Sequence, residues 1–202
     1  MRIGIVCPYD WNAPGGVQAH IRDLAEQLMS RGHYVSVLAP ADDENDLPDY
    51  VVSAGRPVSV PYNGSVARVN FGVVSAARVR RWIKEGNFDV IHVHEAVSPS
   101  LSVLACWIAN GPIVATQHMA TERSRALSAS YWVGNTAMEK VDGRIAVSQK
   151  ARQTLVEHLG GDAVLIPNGV NCAAFADPEP LPGYPRRGGT LFFIGRIDEP
   201  RK

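Results

Sequence analysis

The sequence predicts an α/β protein built on a Rossmann-like, doubly wound parallel sheet. Short β-branched runs alternate with longer stretches of helical period along most of the 202 residues, which is the pattern of a parallel sheet wrapped by helices. Gly32 and the acidic stretch Asp42 to Asp46 fall between these runs rather than within them. The composition, 46% hydrophobic and 20% charged, is that of a globular chain long enough for one good core.

Ile3 to Cys7 reads as the first strand. Val17 to Arg31 is its helix, because Val17, Ile21, Leu24, Ala25 and Leu28 fall on one face, and Gly32 supplies the stop. Tyr34 to Ala39 is the second strand, followed by the acidic loop and by short extended pieces at Tyr50 to Val52 and Val58 to Val60. Val73 to Glu85 reads as a helix with Ala76, Val79 and Ile83 along one stripe. Arg80, Arg81 and Lys84 cluster elsewhere on it, with Arg78 at their edge and Trp82 placed to suit an interface. Val90 to Val93 is a strand, Leu101 to Ala109 a helix, Ile113 to Thr116 a strand and Ala126 to Met138 a helix. Arg144 to Val147 is a strand whose next residue, Ser148, is a natural N-cap for a helix through Leu159, and Ala163 to Ile166 closes the series.

From Asp177 to Gly189 the residues Pro178, Pro180, Pro182, Gly183, Pro185, Gly188 and Gly189 crowd one short stretch, which reads as an interdomain linker. The expected division is therefore a first domain over 1–176, a linker over 177–189 and, from 190 to 202, the start of a second domain opening on a strand at Leu191 to Ile194. On this reading the chain stops just as that domain begins.

Lys+Arg and Asp+Glu both number 20, so no bulk field draws the chain to nucleic acid, and no basic-aromatic platform suggests it locally. Three widely spaced cysteines, Cys7, Cys106 and Cys172, argue against a disulfide framework and read as small core residues in a reducing cytoplasm. The apolar run at the amino terminus is too short for a signal core, and no run approaches the roughly 18 residues a membrane span needs.

Three places carry chemistry. Pro14-Gly15-Gly16-Val17 lies between the first strand and its helix, where close backbone approach and free helix N–H groups suit a phosphate, although a bare Gly-Gly is a weak signal and a plain tight turn is the more ordinary reading. His92 and His94 share one side of a strand end, and His118 follows the neighbouring strand in the same way. Polar groups lining a cleft and hydrogen-bonded core histidines are both open readings, while zinc requires a third ligand beyond the His92/His94 pair. Gly195-Arg196 to Lys202 sets two cations after a strand, suited to a diphosphate.

Several stretches together resemble the actinobacterial phosphatidylinositol mannosyltransferases, which are retaining glycosyltransferases of the two-domain GT-B fold. They are the opening MRIGIVCPY through Tyr9, Pro14-Gly-Gly-Val-Gln18, Leu38-Ala-Pro40, Pro61-Tyr-Asn-Gly-Ser-Val-Ala-Arg68, Phe88-Asp-Val-Ile-His-Val-His-Glu95, Gly111 to Thr116, Gly143 to Ser148, Ile166-Pro-Asn-Gly-Val170 and Gly195 to Lys202. The segment Pro61 to Arg68 is the most specific, and the resemblance covers essentially the whole chain.

That resemblance implies transfer of mannose from GDP-mannose to the inositol ring of phosphatidylinositol, with no protein-bound cofactor or metal, by a cytoplasmic enzyme peripheral on the inner face of the plasma membrane. It implies that Gly16 approaches the donor diphosphate, that Arg196 and Lys202 neutralise it as it leaves, and that His118 stands beside the transferred sugar. Tyr9, Asn63, Ser65 and Arg68 would hold the acceptor, with Arg123 standing in for a lysine that the family carries near that position. Arg78, Arg80, Arg81 and Lys84 would rest on anionic lipid. The first domain is then the acceptor side, and the chain alone should not turn over. Two rivals stand beside this reading: a transferase with a soluble acceptor, and a non-catalytic lipid-docking module.

Overall fold

A computed structural model describes residues 1–62, 65–120, 134–159, 161–177, 179, 181–184 and 187–193, with the backbone alone at 61, 62 and 65. Among the described residues nine strands run in chain order: β1 Arg2–Val6, β2 Tyr34–Ala39, β3 Val51–Ser53, β4 Val58–Tyr62, β5 Ser65–Val69, β6 Val90–His94, β7 Ile113–Gln117, β8 Gly143–Ala146 and β9 Val164–Leu165. The helices are α1 Gly16–Ser30, α2 Val73–Gly86, α3 Leu101–Ile108 and α4 Gln149–Leu159.

Seven strands form one sheet in the order β3-β2-β1-β6-β7-β8-β9, parallel throughout. The doubly wound sheet is thus present as expected. Its two faces bury separate cores, as the alternation along β1 dictates: Ile3 and Ile5 pack with Ile21 and Ala25 of α1, while Val6 joins Val79, Trp82, Val93, Leu101 and Leu104 on the opposite face. Gly4 is small for a reason. A Cβ there would stand 2.8 Å from both the Trp82 and Phe88 rings, so its absence lets α2 settle on the sheet. Ser148 does cap α4, its Oγ accepting from the Ala151 N–H at 3.1 Å.

Several expectations need correction. Trp82 is not an interface residue: it is 5% exposed, packs on Phe88 and donates its indole N–H to Ser36 Oγ at 2.9 Å, so it belongs to the apolar stripe of α2. Cys7 and Cys106 are buried, but Cys172 is exposed at the start of a 3-10 turn over Cys172–Phe175. The extended piece at Val58 is half of an antiparallel hairpin, β4 with β5, whose second strand the sequence reading missed. Leu191, Phe192 and Phe193 lie in no strand and are exposed, because a strand needs a neighbour to take up its N–H and C=O groups. Residues 134–138 are helical, whereas the rest of the helix expected from Ala126 lies outside the described residues.

Candidate functional site

The chain order reverses between β1 and β6: β1 leads outward to β2 and β3, β6 outward to β9. In open α/β sheets the crevice beyond the carboxyl ends of the strands at this reversal is where ligands bind. Three groups of side chains converge there, from the amino-terminal turns of α1, the last residue of β6 and the residue that follows β7.

His94 ends β6 and is fully buried; its Nδ1 lies 2.9 Å from Nε2 of His118. His92, two residues earlier on the same strand face, stacks on His94 at 4.5 Å between ring centres and bonds Thr116 Oγ1 at 2.7 Å. His20, on the second turn of α1, sets its ring edge-on to both His94 and His118, at 5.6 and 5.1 Å. The pair of neighbouring strands with histidines at their ends therefore holds, and α1 adds a ring that sequence reading missed. Its signal was present: Gly16 and His20 are four residues apart, hence on one helix face, so a ligand at the glycine turn and His20 share a side.

Desolvation lowers all four imidazoles. His92 and His118 fall to about 4, the charges of neighbouring histidines adding to desolvation, and His94 falls well below its ordinary value for the same reasons. His20 is lowered as well, by desolvation against the pull of Asp23. Near neutral pH the cluster is uncharged, and each ring offers one donor and one acceptor.

Glu95 supports this arrangement from below. Its backbone is left-handed, φ 56, and its buried carboxylate accepts from the N–H groups of His118 at 2.6 Å and Met119 at 2.8 Å. Burial pushes the carboxyl up to about 7 against the pull of those two bonds and of the Gln117 side chain. Ser102 Oγ donates to the His94 carbonyl at 2.6 Å, which fixes the other strand end. Glu95 was quoted in the sequence only as part of a motif; its role became visible once the turn brought it under the neighbouring strand.

Gly16 opens α1. Gly15, the N-cap, offers no side-chain cap, and a Cβ placed on Gly16 would meet nothing within 4 Å, so space lies over the first turn. Tyr9 bridges to Val69 of the hairpin, which brings Arg68 beside the loop after β1. There Arg68 lies 3.1 Å from the buried Asp10 carboxylate and 2.6 Å from Asp42. Ser65 opens β5, and Asn63 lies outside the described residues. Tyr9 and Arg68 thus come together at the open end of the hairpin, where Val69 pairs with Val58. Arg123, Arg196 and Lys202 also lie outside the described residues. On α2, Arg78, Arg80, Arg81 and Lys84 are all exposed, and the Arg78 guanidinium also donates to the Ala54 carbonyl at 2.7 Å. Among the described residues no helix is long and apolar enough to cross a membrane.

Residues 14–174 match Glycosyltransferase Family 4. Across all 202 residues the chain is 57% identical to a phosphatidyl-myo-inositol mannosyltransferase of Mycolicibacterium smegmatis and 54% identical to one of Mycobacterium tuberculosis, covering 52% and 53% of those proteins. A relative of the same name from Propionibacterium freudenreichii is 40% identical over 212 aligned positions, with 55% of its length covered. The chain spans about half the length of the curated relatives it matches. Among solved structures it resembles a glycosyltransferase from Rickettsia africae, with a TM-score of 0.56 at 22% identity over 86% of this chain and 44% of that one. It also resembles a sucrose-phosphate synthase from Thermosynechococcus elongatus, with a TM-score of 0.58 at 18% identity over 90% and 50%. At those identities the likeness establishes the fold, the amino-terminal domain of the GT-B type.

Proposed function

Because the chain belongs to Glycosyltransferase Family 4, we propose that it is the acceptor-side half of a retaining transferase that moves mannose from GDP-mannose to the inositol ring of phosphatidylinositol at an anionic membrane surface. One observation carries the reading: an uncharged histidine cluster and the uncapped, open first turn of α1 meet at the carboxyl edge of the sheet. The names of the relatives supply the sugar and the lipid.

Loss of the nucleotide develops negative charge on the diphosphate. Free N–H groups and the partial positive charge at the start of α1 stabilise that charge where Gly16 leaves room for it. Arg196 and Lys202 add fixed cations. His118, uncharged, bonds a hydroxyl of the transferred sugar without carrying a competing proton charge. The inositol phosphate is held by Arg68 together with Tyr9, Ser65, Asn63 and Arg123, and the hydroxyl that attacks gives its proton to the departing phosphate on the same face. Arg80, Arg81 and Lys84 face the lipid on the inner side of the plasma membrane.

The test is transfer of radiolabelled mannose from GDP-mannose into phosphatidylinositol vesicles, by a protein in which a donor-binding domain follows this chain. A labelled glycolipid is expected. Transfer to a soluble polyol with none to the lipid would replace the acceptor assigned here, and donor binding with no transfer to either would leave a docking module.

A further inference from the structure

We propose that His20, His94 and His118 form a three-imidazole site for a borderline divalent transition metal ion, zinc foremost, with its fourth position open to the crevice. One nitrogen from each ring lies within 4.8 Å of the others, and the ring centres are separated by 5.6, 5.1 and 5.2 Å. In a tetrahedral site with metal–nitrogen bonds of about 2.0–2.1 Å, ring centres stand roughly 3.2 Å from the ion and so about 5 Å from each other. The ring centres already stand at that spacing, and the ligand nitrogens, within 4.8 Å of one another, close to roughly 3.3 Å in a tetrahedral site.

Each ligand comes from a different element, and two are anchored: the His94 carbonyl by Ser102 and the His118 N–H by Glu95. His94 is fully buried, and its Nδ1 already faces Nε2 of His118, so the two nitrogens that would share an ion point at one another. The Nδ1 to Nε2 separation of 2.9 Å between His94 and His118 needs to open by only about 0.4 Å to seat two ligands of one ion. On binding, a tautomer change moves the shared proton to the far nitrogen of its own ring, so nothing else need accept it.

The donor set selects the metal. Three imidazoles with no carboxylate suit zinc, cobalt, nickel or copper and disfavour magnesium and calcium. Glu95 uses Oε1 for backbone N–H groups and stands outside the three-histidine group, while His92 is turned to Thr116 and walls the site by stacking on His94. The third ligand that the His92/His94 pair lacked in sequence is supplied by the fold, which drops His92 and brings in His20 and His118.

An ion held here takes His118 away from the sugar, so zinc would inhibit transfer. That consequence rests on the function proposed above; the binding does not. The test is titration of the chain with Co(II), followed through the visible absorption of the four-coordinate ion, then displacement by Zn(II). One equivalent per chain is expected, with at least tenfold weaker binding in His20→Ala, whose fold is checked by circular dichroism, and unchanged binding in His33→Ala. Absence of the visible band, or a band that survives His20→Ala or is lost in His33→Ala, would overturn the site. In the protein with its donor domain, Zn(II) is expected to inhibit reversibly, and His20→Ala to need at least tenfold more. Binding without inhibition would keep the site and remove His118 from the transfer step.

Discussion

The Glu95 carboxylate accepts the backbone N–H of His118 at 2.6 Å, and that bond ties the ends of two neighbouring strands together at the point where the histidines meet. Glu95 also accepts from Met119 at 2.8 Å. Replacing it with alanine leaves two N–H groups without their acceptor, each worth about 1–3 kcal/mol where water does not reach. Glu95→Ala is expected to lower unfolding free energy by about 2 kcal/mol or more in urea titrations. Glu95→Gln, whose carbonyl can accept both bonds, should lose less than half as much.

The buried titratable groups give acid stability a definite sign. His92 and His118 are lowered from 6.5 to about 4, so the unfolded chain binds protons that the fold refuses. Their contribution is complete above pH 6.5 and is lost as pH falls towards 4, at about 1.4 kcal/mol per pH unit for each proton. Glu95, raised from 4.5 to about 7, works the other way: its contribution is complete below 4.5 and is lost as pH rises through 7. Between pH 4.5 and 6.5 the histidines outnumber it. Stability should therefore fall with acid in the wild type, more steeply in Glu95→Gln and more gently in His92→Gln, as read from thermal midpoints across that window.

Gly4 is where α2 meets the sheet. A Cβ at 2.8 Å from both Trp82 and Phe88 forces two packed rings to shift. Gly4→Ala is expected to destabilise by about 1–3 kcal/mol, the usual cost of overpacking, with a matching fall in the thermal midpoint; an unchanged midpoint would mean that the rings move freely.

What was legible in the sequence follows from the range of each signal. The α1 face of Val17, Ile21 and Ala25 is periodic, so its burial was readable, and Ser148 is a local cap whose bond needs no distant partner. Trp82 was misplaced because a tryptophan next to arginines looks amphipathic until Ser36 of β2 is brought under its indole N–H, a contact 46 residues away in sequence. The hairpin strand β5 was missed since Ser65 to Val69 is short and its pairing rests on the turn. Within the site, His94 and His118 were found from strand ends, whereas His20 was overlooked because helix periodicity was read only for the apolar stripe. Glu95 needed both a left-handed turn and the parallel neighbour to acquire a role.

The basic helix makes a graded prediction. Arg78, Arg80, Arg81 and Lys84 are all exposed, but the Arg78 guanidinium is held by the Ala54 carbonyl at 2.7 Å. Each free charge near an anionic surface contributes about 1 kcal/mol. Neutralising Arg80, Arg81 and Lys84 together should weaken sedimentation with anionic vesicles about 100-fold at low salt. Arg78→Ala alone should change vesicle binding little and cost some stability instead.

Arg68 offers the sharpest separation of stability from function. Its guanidinium is shared between Asp10, which is 0% exposed, and Asp42, while 38% of the Arg68 side chain remains open to solvent. Arg68→Ala leaves a buried carboxylate uncompensated. Because Arg68 itself reaches solvent, the expected loss of stability is smaller than that of breaking a fully buried pair. Adding Asp10→Asn removes the stranded charge, so the double variant should regain most of that stability in urea titrations. If Arg68 binds the inositol phosphate, mannose transfer to phosphatidylinositol stays depressed in the double variant, chiefly through a raised KM for the lipid. If transfer returns with stability, Arg68 is a structural partner of Asp10 and the acceptor phosphate is held elsewhere.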